Sequence, residues 1–97
     1  MRNPKNLTIV AVDNGAHGST GNQPTATRDV VDLELVARGF GIKSTAYVKR
    51  PEELREALED GVSFVHILAK PYNAPVKNIP LKPPEIKKRF MKALNRA

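Results

Sequence analysis

The sequence predicts an α/β domain built on a short parallel sheet. Three observations carry this. Residues 6–12 and 62–70 are almost continuously apolar and rich in β-branched side chains, as strands covered on both faces are. Stretches with helical apolar spacing follow the strands. The two kinds of segment alternate along the chain: strand, helix, strand, helix, strand, helix.

The first strand is "NLTIVAV", residues 6–12. A loop, residues 13–25, separates it from "VDLELVARGFG", in which Leu33, Val36, Ala37 and Phe40 recur at i, i+3, i+4 and i+7. Asp32 and Glu34 stand near the start of that helix and Arg38 near its end, with Gly41 as its stop. "STAYV", residues 44–48, is a short strand whose Tyr47 reads as core. In "RPEELREALEDG", Pro51 takes a first helical position, Glu52 and Glu53 the first turn, and Leu54, Ala57 and Leu58 the apolar stripe; Gly61 ends it. "VSFVHILAK", residues 62–70, is the most apolar strand, with Phe64 in the core and His66 as a satisfied core or edge histidine. A proline-punctuated stretch, "PYNAPVKNIPLKPP", precedes a last helix over residues 85–95 that is expected to bury Ile86, Phe90 and Leu94. The sequence holds no internal repeat and no low-complexity segment.

Ninety-seven residues suit a single domain, 1–97. A chain of this size buries somewhat under about two thirds of its unfolded surface, so its margin of stability is small. With three phenylalanines, two tyrosines and no tryptophan, aliphatic side chains must supply the core. The absence of cysteine excludes disulfides, thiolate metal sites and a cysteine nucleophile. The longest apolar runs are single strands and nothing reads as a signal peptide, so a soluble cytoplasmic protein without membrane contact is the expectation. The net charge of +6 raises the question of an anionic partner. Much of it sits in "PPEIKKRFMKALNRA", where Lys87, Lys88, Arg89, Lys92 and Arg96 face only Glu85. No aromatic platform for bases accompanies these cations, which argues against nucleic acid and for a solvated helix face.

The chemistry concentrates in residues 13–25, "DNGAHGSTGNQPT", which hold three of the six glycines and no Lys or Arg. In open α/β sheets, ligands bind outside the carboxyl ends of the strands, where this loop lies. Gly15, Gly18 and Gly21 permit positive φ and close backbone approach, so amides and carbonyls can face a ligand. Neither the G-x-G-x-x-G nor the Walker A spacing is present.

At "NLTIVAVDNGAHGSTGNQPT" the sequence resembles thiamine diphosphate-dependent decarboxylases of 2-oxo acids, of the sulfopyruvate (beta subunit) and phosphonopyruvate type. The likeness continues through "DLELVARGFGI", "RPEELREAL", "GVSFVHILAKP" and "NIPLKPPEIKKRFMKAL", nearly the whole chain. It implies a partial, three-layer Rossmann-like domain, the C-terminal part of the diphosphate-binding domain. Its sheet would have about three parallel strands in the order 1-3-2, with "VSFVHIL" in the middle and helices on both sides. In this family Mg²⁺ holds the diphosphate. Its protein ligands are the Asp of a Gly-Asp-Gly motif, a later Asn, and a backbone carbonyl two residues beyond. The Asn matches Asn14 and the carbonyl Ala16, and Gly15, His17, Gly18, Ser19 and Thr20 would line the diphosphate. The metal, rather than lysine or arginine, then neutralises the phosphates, which accounts for a loop without cations.

The 97 residues contain no Gly-Asp-Gly, and the resemblance does not extend to the pyrimidine-binding domain. The chain alone is therefore expected to hold Mg²⁺–diphosphate weakly and to decarboxylate nothing. Its first strand would have an open edge, filled by self-association into a homo-oligomer or by a separately encoded subunit carrying the missing half.

Each residue also has a plainer role. Asn14 and Asp13 suit a strand-end turn, His17 loop packing, and Ser19, Thr20, Asn22 and Gln23 capping and turns. His17 and His66 lack neighbouring carboxylates in sequence and do not make a zinc site. Beside the decarboxylase piece stand two other functions: a free-standing module that binds a small phosphorylated ligand, and a non-catalytic remnant.

Overall fold

The computed structural model describes residues 4–95. Its main sheet has three parallel strands: β1 (Ile9–Asp13), β4 (Thr45–Val48) and β5 (Phe64–Leu68), with β5 in the middle. In chain order of the three long strands this is 1-3-2, as expected. A short antiparallel hairpin, β2 (Ala16–His17) with β3 (Gln23–Pro24), lies within the 13–25 loop. The helices are α1 (Leu33–Gly39), α2 (Pro51–Glu59) and α3 (Pro83–Leu94), with a single 3₁₀ turn at Ala26–Arg28.

Local chemistry explains each boundary. The Asp32 carboxylate caps α1 by accepting the Leu35 N–H at 3.0 Å, and Gly41, at φ +89°, ends it. Pro51 opens α2, while the Glu53 carboxylate reaches back to the Lys49 and Arg50 amides at 2.8 and 3.1 Å. β1 starts three residues later than the apolar run suggests. β5 begins at Phe64 and the Ile9 N–H is taken by the Ser63 carbonyl at 2.9 Å, so residues 6–8 have no partner on that side.

The register places alternate residues on opposite faces. Val10, Val12, Ala46, Val48, Val65 and Ile67 share one face; Ile9, Ala11, Asp13, Thr45, Tyr47, Phe64, His66 and Leu68 share the other. The β1→β4 and β4→β5 crossovers run in opposite directions across the sheet. Right-handed connections therefore put α1 and α2 on opposite faces. The core is on the α2 side, where Val48, Ala57 and Val65 are buried and packed by Ala46, Leu54, Val62 and Ile67. On the α1 side, Thr45 Oγ1 donates to Glu34 at 2.6 Å and accepts from Arg38 Nε at 2.8 Å. Ala37 is the buried residue of that helix.

Four sequence expectations are corrected. Tyr47 is exposed, because α1 covers the β4 edge only partly, and Phe64 is half-buried at the start of its strand. Val36 and Phe40 of the α1 stripe face solvent. The α3 stripe is also uncovered: Ile86, Phe90 and Leu94 are exposed, since the proline-rich segment carries the helix away from the sheet. The radius of gyration is 16.4 Å, against about 12–13 Å for a compact domain of this length. On the core face, Val12 remains 70 % exposed because, among the described residues, no helix covers the β1 column.

Val65→Ala is expected to cost about 2 kcal/mol, from lost burial and a residual cavity. Val12→Thr should stay within about 0.5 kcal/mol in the isolated chain. Urea unfolding of the two variants checks the contrast.

Candidate functional site

β1 ends at Asp13, on the carboxyl edge of the sheet, and the Asp13 side chain turns back against the α1 face. It is 10 % exposed and joins three segments. Oδ2 lies 2.9 Å from His66 Nε2 on β5. Oδ1 accepts the Gly15 N–H at 2.8 Å and the Thr27 hydroxyl at 2.9 Å. Burial works to raise the Asp13 carboxyl. The Gly15 amide, His66 and the Thr27 hydroxyl outweigh it and hold the group below its ordinary value. An ionised carboxylate only accepts hydrogen bonds, so Nε2 carries the proton. His66 is 5 % exposed, the buried polar residue among those described, and its ring sits 5.1 Å from that of Tyr47 at a tilt of 54°. A cavity of about 300 Å³ opens beside it, lined by Thr27, Val31, Asp32, Glu34 and Tyr47.

Beyond Asp13 the chain reverses at Gly15, whose φ of +65° favours glycine. The Asn14 side-chain oxygen accepts the Ala16 N–H at 3.1 Å, an Asx turn. The Thr25 N–H donates to the Gly15 carbonyl at 3.0 Å, so Gly15 and His17 are the hairpin's bonded positions. Alternation leaves the Ala16 N–H and carbonyl on the outer side, next to Asn14. Asn14, Gly15 and Ala16 thus form one compact corner against the Asp13 carboxylate.

The remaining candidates lie farther along the hairpin. His17 is exposed, and its carbonyl accepts the Asn22 N–H at 2.9 Å. Ser19 and Thr20 sit at the tip, where the Thr20 hydroxyl donates to Gln23 Oε1 at 2.8 Å. Gly18 lies under Asn73. A Cβ there would come within 2.7 Å of Asn73 Oδ1, and Asn73 Nδ2 donates to the Gly18 carbonyl at 3.2 Å. The space at Gly18 is therefore filled by the protein's own side chain. Thr27 and Asn73 were not singled out by the sequence. No spacing rule links Thr27 to Asp13, and Asn73 lies in a segment without periodicity. Among the described residues no three His, Asp or Glu side chains gather as a metal cluster, and no helix is long and apolar enough to cross a membrane.

The fold is an open α/β sheet, a class in which ligands bind outside the carboxyl ends of the strands, and the glycine-rich 13–25 loop leaves the carboxyl end of β1. Residues 1–68 match the thiamine pyrophosphate enzyme, C-terminal TPP binding domain, and the chain belongs to that family. It is 44 % identical to sulfopyruvate decarboxylase of Methanosarcina acetivorans, over 95 % of this chain and 25 % of that protein. Identity to sulfopyruvate decarboxylase subunit beta of Methanocaldococcus jannaschii is 41 %, over 98 % of this chain and 53 % of the relative. Phosphonopyruvate decarboxylase of Streptomyces viridochromogenes is 33 % identical, over 90 % of this chain and 23 % of its own length. The chain therefore spans from under a quarter to about half of the length of these relatives. No solved structure matches it.

Because its folded-state value is depressed, Asp13 contributes stability that is present above about pH 4, the unfolded value. That contribution is lost as pH falls through the lower folded value. Asp13→Asn should therefore be less stable than wild type at pH 7, with the gap narrowing towards pH 3. Urea midpoints across that range measure it.

Proposed function

We propose that this chain is the C-terminal part of the diphosphate-binding domain of a thiamine diphosphate-dependent 2-oxo acid decarboxylase. Its substrate would be of the sulfopyruvate or phosphonopyruvate class. The observation that carries this reading is the Asn14–Ala16 corner at the carboxyl end of β1. It offers an amide oxygen and a backbone carbonyl in a loop with no lysine or arginine. Both are hard oxygens of the kind Mg²⁺ takes. Asn14 Oδ1 uses one lone pair on the Ala16 N–H and retains the other. Two neutral oxygens fit as part of a ligand set that a carboxylate from outside these 97 residues completes. The names of the relatives support the reaction class.

When bound, the cofactor supplies the electron sink for loss of CO₂. The chain's own residues do the holding. Asn14 and the Ala16 carbonyl would hold the metal, and Gly15 would let the backbone come close. The hairpin carrying His17, Gly18, Ser19 and Thr20 forms the wall beside the diphosphate. Catalysis then needs the rest of the sheet and the pyrimidine-binding domain, supplied by a separately encoded subunit or a further stretch of chain. The open edge of β1 favours this. Ile9 and Asp13 direct their backbone groups to β5, at Ser63 and Ala69, so those of Val10 and Val12 point away from it.

Isothermal titration with thiamine diphosphate, with and without Mg²⁺, tests the proposal. The assembled protein, containing this chain and its complement, is expected to bind only with Mg²⁺, and Asn14→Ala should weaken binding at least tenfold. The 97-residue chain alone should bind weakly or not at all. Tight Mg²⁺-dependent capture by the lone chain would overturn the reading. So would phosphate binding by it without metal, which marks a free-standing anion module instead.

A further inference from the structure

His66 has no place in the family reading above, and its position calls for one. It lies mid-strand on β5, between Val65 and Ile67, where another aliphatic residue would pack without the cost of burying an imidazole. The sheet register pairs it with Ala11, two residues before the end of β1 and on the same face as Asp13. The ring spans that offset and meets Asp13 Oδ2 at 2.9 Å. The other carboxylate oxygen is held by Thr27 and by the Gly15 amide. The Thr27 hydroxyl in turn pairs with that of Thr25 at 2.7 Å, and the Thr25 N–H bonds the Gly15 carbonyl. The loop is thus tied to the sheet on both sides of Asn14.

We propose that His66 is a positioning residue: by fixing the Asp13 carboxylate from inside the sheet, it sets the pose of the Asn14–Ala16 corner. Without the imidazole, Asp13 keeps only its Oδ1 bonds within the loop segment, to Gly15 and Thr27, and loses its anchor to β5; Gly15, in its left-handed conformation, becomes a swivel. The Asn14–Ala16 corner, still closed by its own Asx turn, then loses its fixed pose relative to the sheet. The hydrophobic core lies on the opposite face, with Val48, Ala57 and Val65. The loop's pose and the fold's stability can therefore be separated by substitution.

The proposal rests on the metal-gripping role assigned to Asn14 and Ala16, and two measurements keep the two ideas apart. The first is amide hydrogen exchange by NMR on the 97-residue chain. His66→Leu is expected to speed exchange at Gly15 and Ala16 at least tenfold while Val48 and Val65 stay protected. His66→Gln, which keeps a donor within reach of Asp13, should restore protection. A uniform loss of protection, or none at Gly15 and Ala16, would overturn the positioning role. The second is Mg²⁺-dependent thiamine diphosphate affinity of the assembled protein. His66→Leu should weaken it about tenfold and His66→Gln by much less. Unchanged affinity in His66→Leu refutes the positioning role. A wild-type assembly that binds no cofactor refutes the functional reading instead, and leaves the exchange data to decide the Asp13 tether.

Discussion

The pleat of β5 governs this molecule. Being central, the strand pairs on both sides, and its alternation sends neighbouring residues to opposite tasks. Val65 goes wholly into the aliphatic core under α2. His66, the next residue, goes to the other face and meets Asp13 at the end of β1. A one-residue slip of β5 would exchange them, burying an unpaired imidazole among aliphatic side chains and leaving the Asp13 carboxylate without its donor. Fold and site are thus locked in the same register.

The second constraint is uncovered apolar surface. α2 covers the β4 and β5 columns of the core face but not β1, so Val10 and Val12 stay open to water. α3 holds its apolar stripe away from the sheet. An α/β layer normally buries strands of this composition on both faces. The exposed column, the free strand edge and the uncovered helix are what one side of a larger α/β assembly would show. They accord with a chain that spans about half of the beta-subunit relative in Methanocaldococcus jannaschii.

Much of this was legible in the sequence, and the failures have physical causes. Strand and helix identities followed from local spacing and capping. Asp32, Pro51, Gly41 and Gly61 act where their chemistry says they should. The parallel order needed the family resemblance, since periodicity carries no information on which strand is central. Burial was misjudged at Phe90, Leu94 and Tyr47 because an apolar stripe states what a face would bury, not whether anything is there to cover it. In the site, Asn14 and Ala16 do come together, through an Asx turn that local sequence can specify. The Asp13–His66 contact could not be foreseen, because it joins residues 53 positions apart and depends on register. Gly18 also makes room for Asn73, a contact that no local pattern announces.

The clustering of cations on α3 takes on a meaning once that helix is seen to be uncovered. Lys87, Lys88, Arg89 and Lys92 interrupt and flank Ile86, Phe90, Met91 and Leu94, so every approach to the greasy stripe brings positive charge together. Such residues act as gatekeepers against sticking between copies. Mutual repulsion of this kind acts over roughly a Debye length, about 8 Å at physiological salt and 3 Å at molar salt. For a chain carrying +6, screening physics predicts dispersal in dilute buffer and growing self-adhesion as salt rises, so ionic strength becomes the lever on its colloidal behaviour.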